Sequence, residues 1–385
     1  MHLPNYKDGS IVNLMSSIMR AYGERSEYGL LRSLDLDVLR KSINVILFVI
    51  DGLGYEFLLK NVGNGILKQH LQDKITSVFP STTATGVTTF LTGLAPQQHA
   101  ITGWFMFVKE LGLVTRILPF NPRYGGLALS KTGIDPMVVF NHKPLSARLK
   151  AETYYLIPQH LFESDYTTVT STGAEKYSYQ SLDDCLRAVK EIVGNNRNKK
   201  FMYVYWSELD SLSHEFGLAG TEVISHLREL DHSILTLVDA LKGSSSVLLI
   251  TSDHGLVDTE TMDRISLEEH PELAQTLTLP LCGEPRAAYC YVHPSKARNF
   301  RDYVHAHLGD YCHLYASQDL IRRHFFGLHT PDPRLQDRIG DYVLIMKEHY
   351  VLKDFISGEP THFLRANHGG VSSEEMYVPL INIPC

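Results

Sequence analysis

Several things are scarce in this 385-residue chain, and each scarcity removes a class of protein. The five cysteines, at 185, 282, 290, 312 and 385, are odd in number and form no CxxC pair. Neither a disulfide framework nor a thiolate zinc site is indicated, and a reducing compartment fits best. Basic charge is also short. Lys and Arg number 36 against 43 Asp and Glu, for a net charge of −7. No field of that kind holds nucleic-acid phosphates, and no Lys/Arg run suits an anionic membrane. The apolar stretch Ile43 to Ile50 falls far short of the ~20 residues a membrane span needs. The opening, Met1 to Ser10, has neither the basic start nor the apolar core of a signal peptide, so the expected location is cytoplasmic. With 44% hydrophobic and 21% charged residues, disorder, collagen and coiled coil are excluded. What remains is a globular chain large enough for one big domain carrying an insertion.

Within that chain three segments are apolar at nearly every position: Ile43 to Ile50, Phe201 to Trp206 and Val247 to Thr251. A strand covered on both faces requires such a run, whereas a half-exposed strand alternates. Helical stripes separate them. Val223, Leu227, Leu230, Ile234, Leu237, Val238 and Leu241 recur at helical spacing and Gly243 then stops the helix. Leu182, Leu186, Val189 and Val193 form a shorter stripe, and Ser10 caps a helix whose Ile11, Leu14, Met15, Ile18 and Met19 share one face. The expected fold is α/β, layered, with a mostly parallel central sheet and helices on both faces. Between Pro271 and Asp354 the pattern turns to short β-rich pieces such as Ala287 to Val292 and Tyr342 to Met346. The expected division is a lead-in with a docking helix over 1–42, a catalytic domain over 43–270 and 355–385, and an inserted, cap-like subdomain over 271–354.

Each of the three buried strands runs directly into residues that bind metals. Asp51-Gly52 follows the first, Asp210 with His214 the second, and Asp253-His254-Gly255 the third; His368-Gly369-Gly370 adds an imidazole near the C-terminus. Singly, an Asp after a strand is more often a turn or cap residue, and Asp210 with His214 could be an i,i+4 pair on a helix, yet the strand just before them and Gly217 soon after favour a ligand loop. Jointly, carboxylate oxygens mixed with imidazole nitrogens are the ligand set of zinc or manganese. The segment Ser81 to Thr89 carries six Ser/Thr residues at the start of an apolar helix. Backbone N–H groups there favour an anion, and a hydroxyl becomes a nucleophile when a metal lowers its pKa. Chemistry alone does not choose among the six.

The order Val49-Ile50-Asp51-Gly52, Phe79-Pro80-Ser81-Thr82-Thr83 running to Thr92-Gly93-Leu94-Ala95-Pro96-Gln97-Gln98-His99, Asp210 to His214, Ser252 to Gly255 and Asn367-His368-Gly369 resembles the type I phosphodiesterase/nucleotide pyrophosphatase branch of the alkaline phosphatase superfamily. The likeness runs from about residue 43 to 382. It implies an alkaline-phosphatase-like fold, two zinc ions (or manganese) and a threonine nucleophile. One ion is held by Asp51, Asp253 and His254 and touches the nucleophile; the other is held by Asp210, His214 and His368. The nucleophile lies sixteen residues before His99, which is Thr83. The chain departs from the branch in two ways. Ala84, Thr85 and Gly86 stand where an aromatic, Pro and Asn usually follow the nucleophile, and Trp104 aligns with an Asn that helps hold a phosphoryl oxygen.

The expected function is metal-dependent phosphoryl-transfer hydrolysis of a small phosphodiester or nucleotide through a covalent phospho-enzyme. Rival readings are a phosphomonoesterase or phosphonate hydrolase on the same centre, a phosphomutase, and a non-catalytic binding module. Trp104, Phe105 and Phe107 are candidates for an apolar substrate wall, and no Arg or Lys lies between Thr76 and Val108. Diester or pyrophosphate is therefore expected to be preferred over monoester. His99 is expected to fix its loop by packing or hydrogen bonding rather than to bind metal, and the histidines at 305, 307, 324, 329 and 349 to lie on the surface.

Overall fold

The first apolar run becomes the strand Asn44–Ile50, buried at every position and central in a seven-stranded sheet. The computed structural model describes all of residues 1–385. Alternation explains why both faces had to be apolar. Val45, Leu47 and Val49 point into one core with the helices Ile11–Ala21 and Thr83–Thr92. Ile46, Phe48 and Ile50 point into another, built on the helices Leu182–Asn195 and Thr221–Leu241. At about 1.5–3 kcal/mol for each fully buried Val, Leu, Ile or Phe, this two-sided burial dominates the energetics of the sheet.

The sheet order is Leu71–Thr76, Tyr377–Pro384, Ser246–Thr251, Asn44–Ile50, Lys200–Trp206, Glu152–Pro158 and Glu175–Tyr179. The five strands from Ser246–Thr251 to Glu175–Tyr179 run parallel; the C-terminal strand is antiparallel to them, and Leu71–Thr76, antiparallel to it in turn, closes the edge. Register matters most for function. Ile50 pairs with Trp206 and Val49 with Thr251, so the segments that follow all three strands leave the sheet at one edge. This is the edge where α/β sheets bind ligands.

The helix Ile11–Ala21 docks as expected, but its polar face is covered too. Asn13 donates to the carbonyls of Tyr6, Lys7 and Gly29, and Ser16 donates to Tyr28 O at 2.7 Å. The chain that wraps back over this face offers backbone acceptors, which hydropathy periodicity does not register.

A second seven-stranded sheet is ordered Cys312–Ala316, Tyr342–Met346, Ala287–Cys290, Cys282–Glu284, Phe105–Val108, Leu113–Arg116 and Asn121–Pro122. The segment 271–354 supplies four of its strands and the chain after the Thr83–Thr92 helix supplies three. The two groups join where Gly283 pairs with Phe105. That join sets a hairpin of the insertion beside Trp104.

Candidate active site

Asp51 ends the central strand and Gly52 turns the chain with φ +76°; a Cβ on Gly52 would sit 3.1 Å from Asp210 Cβ. Only glycine allows this approach of the turn after Asp51 to the helix Glu208–Phe216, which carries both Asp210 and His214 one turn apart where a ligand loop was expected. Asp253 is fixed from the backbone, its Oδ1 accepting from His254 N at 3.1 Å and Gly52 N at 3.4 Å. His368 follows Ala366–Asn367, a short strand paired antiparallel with Val257–Asp258, which returns the C-terminal segment to the site.

Two clusters gather potential ligand atoms within 4.8 Å of one another: Asp51, Asp253 and His254, and Asp210, His254 and His368. His254 thus stands at their junction. The His254 and His368 rings stack at 3.9 Å, with His214 and His368 at 5.2 Å. His214 reaches Asp210, Nε2 to Oδ2 being 3.2 Å. Thr83 opens its helix at the mouth of the first cluster, with Oγ1 3.1 Å from His254 Nε2. The N–H groups of Thr83 and Ala84 in that first turn have no protein acceptor, as helix starts leave them.

The clusters fit divalent cations. Asp51 Oδ1, Asp210 Oδ1, Asp253 Oδ2 and His368 Nδ1 are buried without hydrogen-bond partners. Leaving several such atoms unpaired in one place is costly unless a cation answers them. Asp51 Oδ2 accepts from the Tyr205 hydroxyl, leaving Oδ1 free and 3.2 Å from His254 Nε2, without hydrogen-bonding alignment. The imidazoles are held by their other nitrogens: His214 Nδ1 faces Ala366 O at 2.8 Å and His254 Nδ1 faces Gly255 O at 3.1 Å. A carbonyl only accepts, so each Nδ1 carries a proton and each Nε2 is the nitrogen that faces the clusters, as in metal-binding histidines.

Electrostatics carry the same message. Burial first, then the Asp210 charge, pushes the Asp51 carboxyl well above its usual range; burial and then Asp51 do the same to Asp253. Burial would raise Asp210 also, but the His214 charge and hydrogen bond outweigh it and hold Asp210 low. His214 in turn, against the lowering effect of its burial, is lifted by Asp210 to about 9. His368 is depressed by burial and then by His254. A pocket that resists carrying its carboxylates uncompensated gains from a bound cation.

A cavity of about 350 Å³ opens in front of Thr83. Trp104 and Phe105 line it, with Thr82, Asp210, His214, Asn367 and His368. Phe107 does not: its ring packs edge-on against Tyr291 at 5.4 Å, because the strand Phe105–Val108 carries it two residues further into the second sheet. His99 is fully buried, with Nε2 3.3 Å from Thr89 Oγ1 and Nδ1 accepting from Ile101 N at 3.0 Å, so it fixes the loop. His305, His307, His324, His329 and His349 are exposed.

Sequence reasoning passed over Tyr205, Glu284 and Lys353. Tyr205 was readable in principle, since a hydroxyl near the end of a buried strand needs an acceptor at that edge. Glu284 is buried on the insertion hairpin and accepts from Thr82 Oγ1 and Trp104 N, each at 2.7 Å; burial lifts its carboxyl to about 7. No local pattern points to it or to Lys353, because the insertion meets the site only through tertiary pairing.

The family model described as type I phosphodiesterase/nucleotide pyrophosphatase matches residues 45–370. The chain belongs to that family. As a type I phosphodiesterase/nucleotide pyrophosphatase it is a hydrolase of phosphodiester or phosphoric anhydride bonds. Its fold is alkaline-phosphatase-like, and similar solved structures include murine ectonucleotide pyrophosphatase/phosphodiesterase 5, with TM-score 0.64, 18% identity and 87% of each chain covered. An inactive form of the murine protein in complex with AMP matches with TM-score 0.65 at 18% identity, covering 88% of this chain and 87% of that one. The human counterpart matches with TM-score 0.63 at 17% identity, covering 88% and 87%. No curated protein sequence matches the chain.

The family member's departure at Gly86 has a local reason. A Cβ there would lie 2.6 Å from Asp253 Cβ, so the Thr83–Thr92 helix rests directly on the loop that carries two ligand candidates. Ala is ordinarily the better helix former by about 1 kcal/mol, yet overpacking costs about 1–3 kcal/mol. Gly86→Ala is therefore expected to weaken metal binding and lower the melting temperature, as zinc titration and thermal unfolding will report. Unaltered metal affinity would contradict this packing argument.

Proposed function

We propose that this chain is a two-metal phosphodiesterase or nucleotide pyrophosphatase acting on a small nucleotide or phosphodiester, with Thr83 as its nucleophile. The observation that carries the proposal is the approach of Thr83 Oγ1 to His254 Nε2, 3.1 Å, beside buried carboxylate oxygens that lack partners. One divalent ion, zinc or manganese, would be held by Asp51, Asp253 and His254 with Thr83, and another by Asp210, His214 and His368. Bound there, such ions lower the pKa of a hydroxyl and stabilise the attacking and leaving oxygens of an in-line displacement.

The chain's own groups do the rest. Thr83 Oγ1, having released its proton to solvent, forms a bond to phosphorus as the bond to the leaving oxygen breaks. The unpaired N–H groups of Thr83 and Ala84 are free to donate to a phosphoryl oxygen as it gains charge. A water oxygen then bonds to phosphorus and loses a proton to solvent as the Thr83 Oγ1–phosphorus bond breaks, and the phosphate product leaves. Trp104 and Phe105 form the apolar side of the cavity, suited to a nucleotide base or aryl group. The AMP held by the murine neighbour supports a nucleotide-sized substrate.

The remaining parts of the reading are a cap formed by 271–354 over a catalytic domain of 43–270 and 355–385, and a cytoplasmic setting. Four buried and unpaired thiols, at Cys185, Cys282, Cys290 and Cys312, support a reducing environment. No helix is long and apolar enough to cross a membrane.

Zinc-loaded protein is expected to carry about two equivalents of metal, to lose turnover on chelation, and to hydrolyse bis-p-nitrophenyl phosphate or a nucleotide pyrophosphate with kcat/KM at least ~10-fold above that for p-nitrophenyl phosphate. A monoester preference of that size would make the protein a phosphatase on the same centre. No bound metal after reconstitution would overturn the proposal altogether.

A further inference from the structure

The helix Thr83–Thr92 starts without the cap that its sequence offers. Thr82 is the N-cap residue, extended at φ −143° and ψ 153°, and a threonine there ordinarily turns its hydroxyl oxygen onto a backbone N–H of the first turn. Its side chain makes no such bond. Thr82 Oγ1 donates instead to Glu284 Oε1 at 2.7 Å. The N–H groups of Thr85 and Gly86 are bonded to Thr82 O at 3.1 and 2.9 Å, which leaves those of Thr83 and Ala84 open. Ala84, second in the helix, holds one of the two N–H groups that a capping threonine takes.

Glu284 is firmly placed to hold that hydroxyl. It ends the strand Cys282–Glu284, pairs with Ala287 across the insertion hairpin and is buried. The same Oε1 accepts from Trp104 N at 2.7 Å, and a Cβ on Gly369 would lie 2.6 Å from Glu284 Cβ, so the loop after His368 packs on its stem. A hydroxyl gains more by donating to a carboxylate than by accepting from a neutral amide, and the Thr82 side chain is drawn away from its own helix.

We propose that Glu284 is a positioning residue that draws the Thr82 hydroxyl off the helix start and so keeps the Ala84 N–H free for the phosphoryl group that Thr83 attacks. The inference rests on the Thr83 reading and adds to it a residue of the inserted segment that acts on the reaction through Thr82. Glu284 itself makes and breaks no bond. With its carboxyl removed, the Thr82 hydroxyl turns back to cap the helix and closes one of the two donors.

The test compares full-length, zinc-loaded wild type with Glu284→Ala, Glu284→Gln, Thr82→Val and the double variant Thr82→Val with Glu284→Ala on bis-p-nitrophenyl phosphate. Removing one donor to a developing oxyanion costs about 10²–10³ in kcat, so Glu284→Ala is expected to lower kcat about 100-fold with metal content near wild type. Glu284→Gln keeps an oxygen that accepts from both Thr82 and Trp104 and is expected to recover most of the loss. Valine cannot cap, so Thr82→Val alone is expected to lower kcat far less, and adding it to Glu284→Ala to raise kcat about 10-fold or more, whereas a second lesion in a merely weakened structure would lower it further. A double variant no faster than Glu284→Ala, or a Gln variant as slow as the Ala variant, would overturn the proposal. Should Glu284→Ala fail to fold, Glu284→Met takes its place, filling the same space without an oxygen. A crystal structure of the Ala or Met variant supplies a readout independent of turnover. Thr82 Oγ1 is expected within hydrogen-bond distance of Ala84 N, and a hydroxyl still turned outward, or set on Thr85 N alone, would overturn the cap. Wild type that hydrolysed nothing would sink the Thr83 reading, while that structure still decided where the Thr82 hydroxyl goes.

Discussion

Thr83→Ala is expected to lower kcat on the order of 10⁵-fold, about 7 kcal/mol of transition-state stabilisation, while metal content and folding stay near wild type. The residue opens its helix, its Oγ1 has one protein contact, His254 Nε2 at 3.1 Å, and alanine is a good helix former, so its removal touches little besides the reaction. Thr83→Ser keeps the hydroxyl and is expected to keep part of the activity. Neighbouring threonines serve as controls with different expectations. Thr85 Oγ1 is buried without a partner, so Thr85→Val is expected to be nearly neutral or slightly stabilising. Thr82→Ala removes a donor from buried Glu284, so the mild effect that sequence position alone suggests gives way to a measurable loss of stability. Steady-state kinetics, metal analysis and thermal unfolding on the four variants check the set. Full activity in Thr83→Ala would move the nucleophile to Ser81 or Thr82.

Arg286→Ala is expected to destabilise the fold by about 3–5 kcal/mol, the cost of leaving a buried charge alone. Arg286 and Glu375 are both essentially inaccessible, paired Nε to Oε1 at 3.0 Å and Nη2 to Oε2 at 2.8 Å. Arg286 Nη1 also donates to Tyr350 O at 2.7 Å, while Glu375 accepts from Gly370 N at 2.7 Å. The pair therefore pins the insertion hairpin to the loop that carries His368. Burial alone would raise the Glu375 carboxyl, but Arg286 and the hydrogen bonds outweigh it and hold the carboxyl below the usual range. The sign follows directly: with its folded-state pKa depressed, Glu375 contributes stability above the ordinary Glu value of about 4.3 and loses it as pH falls through the depressed value. Urea unfolding at pH 7 measures the loss. The double replacement Arg286→Met with Glu375→Leu is expected to cost less than Arg286→Ala alone, because no charge is left unpaired. A single variant as stable as wild type would mean that the pair contributes nothing.

Much of this molecule was legible from local sequence, and the reasons are local. Ile43 to Ile50 announces a strand covered on both faces because every side chain is apolar, and its parallel neighbours announce themselves in the same way. Strand ends followed by Asp51, Asp210 and Asp253 were enough to suggest one ligand-bearing edge, and parallel register does bring them there. The choice of Thr83 from six hydroxyls came from family resemblance rather than from chemistry. Two features required the tertiary structure. Phe107 shares the apolar character and the strand face of Phe105 but packs on Tyr291, since its place two residues further along the strand, not composition, decides which aromatic meets the cavity. Glu284 enters the site because Gly283 pairs with Phe105 across 178 residues of chain, a contact with no local signature. Periodicity and turn chemistry report what a residue does to its own segment; which charges are left uncompensated in a cavity is a property of segments far apart in sequence, set only when the sheets close around it.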